Sequence, residues 1–158
     1  MNFALGKISK PEFLTEMNLN EDEFERYVLD SLQRAYDAKD SDTIEYTFHL
    51  GYDLSSSERF VIILCKLLVA DWHMMHEDIA RRLQDFKSPD SIDCLYEAIL
   101  KANKLAYLEY NEGEAFIIKC CYALNDINTT YSHEKLKELA KSESPIIQKA
   151  ALHQIKKW

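Results

Sequence analysis

Apolar residues recur every three or four positions along most of the chain, the period of a helix with one buried face. Phe24, Tyr27, Val28, Leu32 and Ala35 form the first clear stripe. It is opened by Asn20 with Glu23 three residues on, the spacing of a capping box. The stripe ends near Lys39-Asp40-Ser41. Asp42 with Glu45 repeats the capping signal, and Ile44 and Phe48 predict a short helix that stops near Gly51. Ser55 with Glu58 gives a third cap, ahead of a run over 60–69 that is apolar on nearly every side. That run predicts the most buried helix. A helix over 74–86 turns Ile79, Ala80 and Leu83 inward.

Ser88-Pro89 places a cap and a proline where a helix begins, and Ile92, Leu95, Tyr96, Ile99 and Leu105 carry that helix on. Asn111 with Glu114 predicts the cap of a helix holding Phe116, Ile117, Cys120, Cys121 and Leu124. Ser132 opens one with Leu136 and Leu139, and Ser144-Pro145 opens the last, with Ile147, Ala150, Ala151, Leu152 and Ile155. The pattern therefore predicts about eight helices joined by short polar turns, and no strand. The fold class is all-α. The 158 residues suit a single domain: an N-terminal segment 1–19, acidic helices over 20–54, and degenerate helical repeats over 55–158.

Composition narrows the chemistry. Only 3 Gly and 3 Pro occur, which argues against glycine-rich phosphate loops and turn-rich β-sandwiches. No hydrolase elbow, P-loop or dinucleotide fingerprint is present, so no cofactor is implied and a non-enzymatic role is expected. His73-Met74-Met75-His76 offers two histidines on one helix face, but nothing in the sequence places a third metal ligand. Packing at a helix start is the plainer reading of that segment, and no metal is expected. Glu109, Glu112 and Glu114 bring three carboxylates together, in a stretch that reads as a solvated turn rather than an acid–base pair.

Charge changes the picture more. The net charge is −8, and it is unevenly spread. Residues 12–58 hold 13 acids and 3 bases, whereas residues 80–158 hold 11 acids and 12 bases. Such a chain lacks the phosphate-neutralising surface of a nucleic-acid binder. A focused negative surface attracts a basic protein and speeds the encounter, or simply keeps a small protein in solution. If it binds, the expected contacts are Glu21, Asp22, Glu25, Asp37, Asp40, Asp42 and Glu45, with Tyr36 and Tyr46 as aromatic anchors. Tyrosine rings stack on guanidinium groups while carboxylates pair with them. Tyr27, Tyr96 and Tyr122 are expected to fill gaps between helices instead.

The four cysteines, Cys65, Cys94, Cys120 and Cys121, have no CxxC spacing and lie in apolar runs. Reduced core thiols are expected, not a disulfide frame or a zinc site. The N-terminus lacks an uninterrupted signal-peptide core, and the runs 60–65 and 67–70 are split by Lys66 and too short to span a bilayer. A cytoplasmic location without membrane contact is the expectation.

A weak internal repeat underlies the helices. The two Ser-Pro turns lie 56 residues apart, and caps at Ser55, Ser88, Asn111 and Ser144 are separated by 33, 23 and 33 residues. A mean near 30 suits one helix–turn–helix unit. Residues 134–157 resemble a HEAT-type repeat: Leu136 and Leu139, a turn at Ser144-Pro145, then Ile147, Ala150, Ala151 and Ile155. Residues 76–100 show the same resemblance more loosely. Lys149 stands where the family carries a basic residue, but no Asp follows Ser144-Pro145. The resemblance implies a right-handed stack of helical hairpins, an α-solenoid; an irregular helical bundle is the alternative.

In size, charge and lack of catalytic motifs the chain also resembles small acidic bacterial immunity proteins. That resemblance implies a basic, nuclease-like toxin domain as partner. An adaptor that binds a peptide or helix on its concave face is the second reading. A HEAT-like enzyme acting on nucleic acid is the third, and it lacks the basic groove such chemistry needs.

Overall fold

The computed structural model describes residues 10–51, 58–111 and 113–157. Among them are nine α-helices, three 3₁₀ turns and no strand, so the chain is all-α. The expected cap at Ser55 lies outside the described residues. The chain divides into two compact units, Met1–Arg59 and Phe60–Trp158. No helix among the described residues is long and apolar enough to cross a membrane.

The first unit holds α1 (Lys10–Met17), α2 (Glu21–Ala38) and α3 (Ser41–Gly51). Helix α1 is the ninth, in the segment 1–19 for which the pattern predicts no element. It has one apolar side chain that matters, Phe13, which meets Phe24 edge-on at 5.6 Å between ring centres. Helix α2 begins as its sequence dictates. Asn20 accepts from the Glu23 N–H at 2.9 Å and Glu23 accepts from the Asn20 N–H at 2.9 Å, so the capping box is closed. Phe24, Val28, Leu32 and Ala35 are its buried stripe. The helix stops because Lys39 adopts the left-handed conformation, with φ of 53°.

The cap of α3 is Asp40, not Asp42. Asp40 accepts from the Thr43 N–H at 3.0 Å and from its hydroxyl at 2.6 Å, which leaves Asp42 inside the first turn. These Thr43 bonds, the hydroxyl's foremost, hold the Asp40 carboxyl below its usual range. Helices α2 and α3 pack against each other as a hairpin.

The second unit carries α4 (Arg59–Leu68, from Phe60 on), α5 (His76–Phe86), α6 (Ile92–Lys101), α7 (Glu114–Ile127), α8 (Thr130–Leu139) and α9 (Pro145–Ile155). Helix α4 buries Phe60, Val61, Ile63, Leu64, Leu67 and Leu68 but leaves Ile62 66% exposed, so it has an outward face despite its apolar sequence. Ser88 and Ser144 precede helix-opening prolines as expected, Pro89 through a short 3₁₀ turn. Helix α8 starts earlier than Ser132: Thr129 is its cap, and Ser132 answers as the third residue of a second capping box.

Leu105 does not continue α6. The helix ends at Lys101, the chain tightens into 3₁₀ turns, and Leu105 is extended. The chain then folds back until Gly113, at φ 72°, lies against Ala102. The left-handed backbone there favours glycine, and a Cβ at 113 would sit a tight 3.2 Å from the Ala102 methyl. Gly113, not Asn111, is the residue that enters α7.

Helix α7 is the core of this unit. It packs on α5, α6, α8 and α9, and α6 also meets α8 while α8 meets α9. Phe116, Ile117, Cys120, Cys121, Ala123, Leu124 and Ile127 are its buried residues. The small Cys120, Cys121 and Ala123 allow neighbouring helices to come close on several sides. Lys119 of α7 pairs with Glu77 of α5 at the rim of that contact.

Candidate functional site

The nine residues expected to bind a partner all lie in the first unit, and its fold sorts them into two groups. Glu21, Asp22 and Glu25 stand at the start of α2. Tyr36, Asp37, Asp40, Asp42, Glu45 and Tyr46 surround the turn at its other end. Glu21 and Asp37 are separated by roughly 24 Å along the helix axis at 1.5 Å per residue.

The two groups differ in what explains them. Acids in the first turn of α2 complement the positive helix N-terminus and need no partner for their presence. Glu25 is half-buried and faces the Arg59 guanidinium at 3.6 Å. At the turn, Asp40 serves as the α3 cap. Asp37 is exposed beside the negative end of α2, whose last turn has no basic residue, an arrangement that costs stability. It accepts from Gln33 at 2.7 Å. Asp42 and Glu45 are exposed, and Tyr36 and Tyr46 are half-buried beside them in sequence and turn.

Tyr27 is not interior filler. It is 38% exposed and shares an α2 face with Glu23 and Asp30, at positions 23, 27 and 30. Helical spacing alone could have found this group, had Tyr27 not been counted in the apolar stripe. Tyr96 and Tyr122 are half-buried as expected, with the Lys135 ammonium 4.4 Å from the Tyr96 ring centre and that of Lys157 4.1 Å from Tyr122.

His73 and His76 do another job. Both are buried, with rings stacked at 4.3 Å. The Met75 N–H donates to His73 Nδ1 at 3.1 Å, so the proton of that neutral ring is on Nε2, which donates to the Leu67 carbonyl at 2.9 Å. His76 Nε2 donates to the Ala70 carbonyl, and its Nδ1 accepts from the Tyr107 hydroxyl at 2.8 Å. The pair thus satisfies carbonyls at and just beyond the end of α4. Burial lowers both imidazoles from their ordinary range, His76 to about 4 with His73 adding to the effect. Burial likewise pushes the Tyr107 phenol up to about 12. No cluster of three metal-ligating side chains occurs among the described residues. Of the acidic stretch near 110, the side chains of Glu109 and Glu112 lie outside the described residues.

The cysteines divide two and two. Cys120 and Cys121 are free and fully buried, as expected. Cys65 and Cys94 are not reduced thiols: they form a disulfide between α4 and α6, with Cα atoms 5.4 Å apart. Sequence spacing could not reveal this pair, because it depends on how α4 lies against α6.

A cavity of about 550 Å³ opens where α6 ends, beside α7 and the α8–α9 turn. Ile99, Leu105, Ile117 and Ile146 line it with Asn103 and Ser144, and none of its lining residues is charged. Comparison of the chain with protein-family models, with curated proteins and with solved structures gave no match.

Proposed function

We propose that this chain is a non-catalytic protein-binding module that neutralises a basic, nuclease-like toxin domain through its acidic first unit, as an immunity protein does. The observation that carries the reading is the turn between α2 and α3. Residues 20–51 hold nine acids against three bases. Asp37, Asp42 and Glu45 crowd the turn with Tyr36 and Tyr46. Asp37 opposes the helix dipole there, a cost that its bond from Gln33 offsets only in part. Carboxylates flanked by tyrosines suit arginine and lysine side chains, whose approach such a surface also speeds.

The second unit is the scaffold in this reading. Layered contacts of α5 with α7, α7 with α9 and α6 with α8, and the hairpin of α8 with α9, favour a HEAT-like stack, which this reading takes as right-handed. The cavity without charge favours one second reading, an adaptor that receives an apolar peptide or helix.

The test uses the tagged chain and a variant with Asp37, Asp42 and Glu45 changed to Lys. Both are offered lysate of the source organism at low salt and eluted in a salt gradient. A basic protein captured by the wild type, lost by the variant and toxic when expressed alone is the expected result. Equal capture by both chains, or elution insensitive to salt, would overturn the assignment and favour the adaptor. The variant should keep its stability within about 0.5 kcal/mol, because the changes are on the surface.

A further inference from the structure

We propose that the Cys65–Cys94 bridge is a thiol–disulfide exchange site for small thiols of the glutathione class, and that reduction there releases α4 from α6. The bridge closes a separation of 29 residues between two helices of the second unit. Its two cysteines are half-buried and so within reach of a small nucleophile, whereas Cys120 and Cys121 are sealed in the core of α7. Four cysteines in one unit are thereby split into an accessible pair and an inert pair.

The reduced state is also provided for. Cys94 Sγ lies 3.2 Å from the Ser91 carbonyl oxygen. A thiol formed there finds its acceptor already in place, with no movement of α6. Helix α4 is differently placed. Its C-terminal end stays tied by the His73 and His76 N–H groups on the Leu67 and Ala70 carbonyls. Its first two turns keep the buried Phe60, Val61, Ile63 and Leu64 and the Arg59–Glu25 pair, but the bridge at Cys65 is their covalent tie, so its loss loosens them before the last turn.

The chemistry balances in two displacements. A small thiolate attacks one bridging sulfur; the protein S–S bond breaks, a mixed disulfide forms, and the other cysteine leaves as a thiolate that takes a proton from water. A second small thiolate attacks the mixed disulfide, freeing the second cysteine and a small disulfide. Two small thiols are oxidised and one bridge is reduced, and the small disulfide drives the reverse.

The experiment takes the full chain through buffers of graded reduced and oxidised glutathione. Accessible thiols are alkylated in the folded protein, the reaction is then quenched in acid, and the masses of the peptides are read. Expected are alkylation of Cys65 and Cys94 that rises together with the reduced fraction, a trapped mixed disulfide on one of them, and no native-state alkylation of Cys120 or Cys121. Amide exchange read in parallel should rise about tenfold over residues 60–65 on reduction and stay within about twofold in α7. A bridge that survives excess reduced glutathione in the native protein would overturn exchange. Two thiols that never pair under oxidised glutathione would overturn the bridge. Unchanged exchange over 60–65 would overturn the release of α4. The wild-type chain suffices for all three readings. A Cys65→Ser, Cys94→Ser double variant should show the amide-exchange pattern of the reduced chain in every buffer.

Discussion

The two units show different kinds of constraint. In the first, one long amphipathic helix and its hairpin partner carry an acidic exterior, and the exterior is the unusual part. In the second, a single helix is wrapped by four others, and the interior is the unusual part. Substitution on the outside of the first unit changes its surface charge; substitution on the inside of the second changes whether that unit folds. The comparison also places reactivity. Titratable groups with displaced protonation are concentrated in the second unit, in His76, Tyr107, Cys120 and Cys121, where burial is the leading cause.

Three measurements would break or sharpen this contrast. The largest effect is expected from Phe116→Ala in α7. The ring is fully buried on the helix that four others pack against, and its loss leaves a cavity there. Chemical denaturation should show a loss of about 3–5 kcal/mol. A loss below 1 kcal/mol would deny α7 its central place.

Next is the pH dependence set by His76. Its folded value, about 4, lies below the ordinary histidine value near 6.5 that the unfolded chain retains. The unfolded state therefore takes up a proton first as pH falls. Stability from the neutral ring is complete above pH 6.5 and is lost between pH 6.5 and 4, by about 2 kcal/mol after allowance for solvent screening. Melting curves of the wild type and a His76→Asn variant across that window would show it, with a steeper slope in the wild type than in the variant, where the buried His73 still contributes. Parallel slopes would exclude His76 as the source.

The smallest effect belongs to the first unit. Asn20→Ala opens the capping box of α2 and should cost about 1 kcal/mol. The loss should appear as faster amide exchange over the first turn of α2, with α7 unaffected. A loss shared equally by α7 would mean that the two units unfold as one.

Local signals made much of the fold legible. Asn20 with Glu23 marks α2 because a capping box involves only residues three apart. Pro89 and Pro145 mark helix starts because proline's missing N–H matters least there. Helix α1 is hidden because its main support is Phe13 against Phe24, a contact across a turn and not a period. The end of α6 is hidden because Leu105 is apolar and buried whether or not it is helical; only the fit of Gly113 against Ala102 shows the reversal. At the candidate site, the acids were legible by type and by segment. Their separation into a dipole-explained group and a turn group required the helix ends. Cys65 with Cys94, and His73 with His76, are defined by neighbours in space, which spacing along the chain does not report.

The arrangement around α7 has a kinetic consequence. Each principal helix contact in the second unit joins elements one or two places apart in chain order. Little chain must be looped out before a contact forms, so the entropy spent on closure is small at every step. Topologies of this kind reach the native state in microseconds to milliseconds, faster than sheets that pair distant segments. Such a unit spends little time with its apolar stripes uncovered, and aggregation has correspondingly little time to compete.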